Sequence, residues 1–112
     1  MTRSATSLLV VSLFLALPAT AEALGGYTVV VSRATHGRAD WKPVVRTLVA
    51  KHDAEVVVFT DSVTESLEEL RRQVPRYTCF VATPKEATGK FVAEVHQLTR
   101  RLDSDPYTDT LW

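Results

Sequence analysis

Three short runs rich in β-branched residues constrain this chain more than any other feature. They are Tyr27–Ser32 (YTVVVS), Glu55–Thr60 (EVVVFT) and Tyr77–Ala82 (YTCFVA). Each is apolar on both faces, which is how a strand covered by helices on either side reads. Between them the apolar period changes from two to near four. Trp41, Val44, Val45, Leu48 and Val49 fall on one helical face, with Asp40 as the expected N-cap and Pro43 in the first turn. Val63, Leu67, Leu70 and Val74 form a second stripe, opened by a Ser62-x-x-Glu65 capping box and closed by Pro75. Phe91, Val95, Leu98 and Leu102 form a third, with Thr83-x-x-Glu86 as its expected capping box and Pro84 at its first position. Read this way, Gly89 lies inside the last helix at a cost of about 1 kcal/mol, and Glu86, Lys90 and Glu94 mark its solvent face. The pattern is β-α-β-α-β-α, an α/β fold with a three-stranded parallel sheet flanked by helices. Sheets of this class usually carry more strands, so the fold reads as incomplete at its C-terminal end.

The first residues belong to targeting rather than to the fold. Arg3 is followed by an apolar core from Leu8 to Leu17, then by Pro18 and small residues. That core has signal-peptide length and is about half of what a membrane-spanning helix needs. Ala19-Thr20-Ala21 and Ala21-Glu22-Ala23 both fit a cleavage site. The expected organisation is a signal peptide over 1–23 and an α/β domain or subdomain over 24–112. A Sec-type signal implies a secreted or periplasmic product with no membrane anchor after cleavage. No Arg-Arg pair marks a twin-arginine route, and no cysteine stands near the cleavage site for lipid attachment.

Composition narrows the function classes. Thirteen basic residues balance thirteen acidic ones, so no positive field exists to gather nucleic acid. Exported domains of this size commonly rely on disulfides. Cys79 is the sole cysteine, so stability must come from packing, from self-association or from a further part of a longer chain. No Asn is present, so the chain has no N-glycosylation sequon.

In an open parallel sheet, ligands gather at the carboxyl ends of the strands. Here those ends lead into Arg33–Arg38 (RATHGR), Thr60-Asp61-Ser62 and Ala82-Thr83-Pro84. His36-Gly37 after the first strand is superficially like the His-Gly of caspase-type peptidases, and Cys79 follows later in the chain. They are the only catalytic candidates. Against them, a nucleophilic thiol needs exposure and activation, whereas Cys79 lies in mid-strand before Phe80-Val81-Ala82 and reads as a buried small hydrophobe. His36, His52 and His96 lack metal-ligand spacing, and Asp103, Asp105 and Asp109 lack the glycine and terminal glutamate of a calcium loop. Gly25-Gly26 precede the first strand rather than follow it, which argues against a dinucleotide loop. No G-x-S-x-G elbow is present. The expectation is therefore no cofactor, no metal and no catalytic residue beyond the weak pair His36 and Cys79.

Two stretches carry a family resemblance. Tyr27–His52 (YTVVVSRATHGRADWKPVVRTLVAKH) and Tyr77–Trp112, with its CFVATPKE, VHQLTRRL and DPYTDTLW, resemble the N-terminal α/β region of exported bacterial gingipain-like cysteine peptidase relatives. In that family an N-terminal α/β subdomain precedes a caspase-like subdomain that holds the catalytic His and Cys. None of the positions here matches those residues, so the resemblance gives no catalytic role to His36 or Cys79. It implies a non-catalytic front part of an exported peptidase-like protein, whose partner is a downstream catalytic domain of the same chain. The alternative from the residues alone is a self-contained exported binding domain that associates with itself.

Overall fold

The computed structural model describes residues 26–105. The expected signal peptide with its two expected cleavage sites, Asp109 and the Tyr107–Trp112 tail lie outside the described residues.

Strands β1 (Tyr27–Ser32), β2 (Glu55–Phe59) and β3 (Tyr77–Val81) form one parallel sheet in the order β2-β1-β3. The central strand is the first in sequence. Val29 is level with Val56 on one side and Cys79 on the other; Val30 is level with Val57 and Phe80. Because side chains alternate, this register sorts the core into two layers. Val29, Val31 and Val81 pack with Val45 of helix α2 (Lys42–His52) on one face. Val30, Val57 and Phe59 pack on the other with Val63, Leu67, Leu70, Val95 and Leu98. Those partners come from a 3-10 turn (Val63–Ser66), helix α3 (Leu67–Gln73) and helix α4 (Gly89–Thr99). A single helical turn, α1 (Arg33–His36), follows β1 directly. The buried Thr28 hydroxyl donates to Gln73 Oε1 at 2.7 Å and ties the central strand to the end of α3.

The β-α alternation and the parallel sheet match the sequence expectation. Several boundaries and caps do not. Asp40 does not cap α2; its carboxylate takes Arg38 at 2.7 and 3.0 Å, and α2 begins after Trp41 with no side-chain cap. The Thr83–Glu86 box forms, but it closes a turn, and α4 begins six residues after Thr83 with Thr88 Oγ1 accepting from the Phe91 amide. Gly89 therefore stands at the first helical position with open space around it, and the expected interior penalty does not arise. Glu86 lies off α4, leaving Lys90–Glu94 as the ion pair on its surface. Val74 is not a core residue of α3. It ends the helix in the left-handed conformation at φ 47° and is 69% exposed. Val44 is also exposed on α2.

Candidate functional site

The carboxyl edge of the sheet is organised by two glutamates. Ser32 ends β1 in extended geometry, and its Oγ accepts from the Thr35 amide at 3.1 Å, which starts α1. This turn places the buried Thr35 hydroxyl beside β3, where it donates to Glu86 Oε1. The same oxygen accepts from the Thr83 amide at 3.1 Å and the Thr83 hydroxyl at 3.2 Å. The Ser32 hydroxyl adds to the polar surroundings that favour the charged carboxylate. Burial pushes the Glu86 pKa up, but the Ser32, Thr35 and Thr83 donors outweigh it, so the carboxyl titrates below its ordinary range. One carboxylate thus joins the ends of β1 and β3.

Glu65 does the equivalent work after β2. Its carboxylate accepts from the amides of Thr60, Asp61 and Ser62 at 3.3, 2.9 and 2.6 Å. These backbone donors, Ser62 foremost, then Asp61 and Thr60, hold its pKa down. The Ser62 side chain completes the box by accepting from the Thr64 amide at 3.3 Å. Both glutamates at the carboxyl edge of the sheet are therefore occupied by donors from the loops that surround them.

His36 ends α1 and is half-buried, with Nδ1 enclosed and without a hydrogen-bond partner. Cys79 sits level with Val29, three residues before the end of β1, which is about 10 Å along the strand. The two candidates occupy different levels of the sheet and are not brought into one group. Cys79 is half-buried rather than sealed in the core, and it faces the α2 side of the sheet. There it neighbours Tyr27, whose pKa is raised by burial first and then by the proximity of Cys79. The Tyr27 ring stacks on His52 at 4.1 Å between centroids and 5° between planes. Tyr77 lies 6.3 Å away in a tilted arrangement, with the Arg76 guanidinium 5.5 Å above its ring.

The Tyr27, His52 and Cys79 grouping was not read from the sequence. The signal exists in hindsight of the register: Tyr27 and Cys79 share the parity of Val29, but only the order β2-β1-β3 makes them neighbours. The Thr35–Glu86 bond was hidden for the same reason. Among the described residues, no three His, Cys, Asp or Glu side chains converge as metal ligands, and no helix is long and apolar enough to cross a membrane. Comparisons with protein-family models, curated proteins and solved structures find no match.

Proposed function

We propose that this chain is a non-catalytic α/β module forming the front part of an exported peptidase-like protein. One observation carries the reading: the Glu65 and Glu86 carboxylates, at the edge where parallel sheets bind ligands, are engaged in holding strand ends and their loops together. Glu86 joins β1 to β3 and Glu65 closes the loop after β2. Glutamates used in this way support the sheet rather than stand ready for proton transfer. The placement of Cys79 beside Tyr27, away from the level of His36, accords with it. The leader-like segment before Leu24 supports export. The resemblance of Tyr27–His52 and Tyr77–Trp112 to gingipain-like relatives supports the peptidase-like context.

The test is to follow the protein in its producing cell with an antibody against residues 26–105, alongside the reading frame beyond Trp112. The reading predicts a released polypeptide much larger than 12.4 kDa, with coding that continues into a second domain. A released product of the size of residues 24–112, ending at a stop codon, favours the self-contained binding domain instead.

A further inference from the structure

Strand β3 has one neighbour, β1, among the described residues. Its sequence, YTCFV, contains no charge and no proline, the residues that commonly guard an edge. The other edge strand, β2, carries Glu55. An edge strand of a parallel sheet bonds its neighbour through alternate backbone groups, and the others point outward. Among the described residues, no second strand receives the outward groups of β3.

Beside this edge lies a cavity of about 530 Å³, on the face covered by α3 and α4. Leu70, Phe80, Leu98 and Leu102 make its lining apolar. The volume is that of a ligand site and is ample for one large apolar side chain. Three charged side chains also line it: Arg71, Arg76 and Asp103. Arg71 is engaged, with Nε on the Arg101 carbonyl at 3.0 Å and Nη1 on Glu68 at 3.3 Å. Asp103 accepts from the Asp105 amide at 2.8 Å. The exposed Arg76 guanidinium lies 5.5 Å from the Tyr77 ring and meets no carboxylate among the described residues.

Outward backbone groups beside an apolar pocket are the elements of β-strand addition. The main chain of an extended peptide bonds the edge, and the pocket selects a side chain. A second copy of this chain fits less well. On the α3–α4 face its β3 offers Thr78 and Phe80, and its β2 offers Val57 and Phe59. Phe80, Val57 and Phe59 are packed in the core of their own domain, so neither edge strand has an apolar side chain free to enter the cavity.

We propose that the β3 edge and its cavity form a docking groove for an extended peptide of another polypeptide. The peptide adds to the sheet as a strand, sets one large apolar side chain in the cavity and pairs an acidic residue with Arg76. The proposal stands apart from the functional reading above, because its test measures binding and neither cleavage nor export.

Titration of the full chain with a fluorescein-labelled heptapeptide, Asp-Val-Thr-Leu-Thr-Val-Asp, tests it by anisotropy. The sequence is symmetric and serves either strand direction. Binding should be saturable, and replacing the peptide's Leu by Ala should weaken it by about ten-fold or more. Two further peptides carry N-methyl groups on one or the other alternate set of amides. Only one of them should lose about ten-fold or more, because successive amides point to opposite sides. Arg76→Gln, an exposed position that the fold tolerates, should weaken binding and remove most of its salt dependence. Amide exchange at peptide saturation should slow alternate amides of β3 and leave those of β2 unchanged. Absence of saturable binding overturns the proposal, as does equal affinity for the unmodified and both N-methylated peptides. So does slow exchange at every β3 amide before peptide is added. Independent of protein concentration, that result gives the edge to the chain itself; rising with concentration, it gives the edge to a second copy.

Discussion

Replacing Glu86 by Ala should be the most damaging change at the carboxyl edge of the sheet. The variant leaves the Thr35 hydroxyl and the amide and hydroxyl of Thr83 without their shared acceptor. Both residues are nearly inaccessible, at 2 and 6% exposure, so water cannot freely replace the lost bonds. A hydrogen bond to a charged group contributes roughly 1.5–3 kcal/mol, and bonds in one network do not add. Because Glu86 itself is partly solvated, the expected loss is about 3 kcal/mol, a large share of the stability of a small domain. Urea unfolding at neutral pH reads it. With a slope of roughly 1–2 kcal/mol/M, the midpoint should fall by about 1.5–3 M. Thr35→Val and the double variant complete a cycle with a coupling energy of about 1–2 kcal/mol. The sign of the pH dependence follows from the lowered pKa. The carboxylate's contribution is complete above the ordinary glutamate value of 4.5 and is lost as pH falls through the lower folded value. Glu86→Gln should therefore flatten part of the acid limb, with the Glu65 part remaining. A loss below about 0.5 kcal/mol for Glu86→Ala, typical of an inert surface position, refutes the idea that this residue joins β1 to β3.

Other positions give expectations of both signs. Val74→Gly should stabilise the domain by about 1 kcal/mol in thermal or urea melts, because a β-branched, exposed residue holds the left-handed end of α3. Leu70→Ala should cost about 3 kcal/mol through a cavity between α3 and the sheet, measured in the same melts. Tyr27 should ionise above the ordinary value of 10.0; its contribution is whole below that value and declines as pH rises through the higher folded one, visible as the phenolate absorbance missing from Tyr27→Phe. Leu13→Asp with Leu15→Asp should leave the precursor unprocessed inside the cell, detected by its unchanged mass.

What could be read in advance was the part of the fold governed by local chemistry. The β-branched runs became β1, β2 and β3 to within a residue. Apart from Val44 and Val74, the helical stripes found their core partners, because period and polarity act within a few residues. What depended on competition between possible partners, near or far in sequence, could not be read. Asp40 carries an N-cap's side chain, yet Arg38 two residues earlier offers a two-pronged partner, and the carboxylate turns to it. Thr83–Glu86 has the spacing of a helix start, yet the Thr35 hydroxyl recruits the glutamate into a turn and α4 waits for Thr88. Val74 continues an apolar stripe, yet it stands one residue past the end of α3, where the chain takes a left-handed cap before Pro75 and the return to β3. At the candidate site, His36 was visible as a loop histidine and Cys79 as a strand cysteine. Their separation, and the proximity of Cys79 to Tyr27, emerged only from the order β2-β1-β3.

Peptide turnover tests the central claim most directly. The protein purified from its producing cell is incubated under reducing conditions with a mixed-sequence peptide library, and products are read by mass spectrometry beside the Cys79→Ala and His36→Ala variants. The account predicts that neither substitution changes the cleavage pattern, because neither residue belongs to a catalytic pair. Cleavage by the wild-type protein that both substitutions abolish would contradict it.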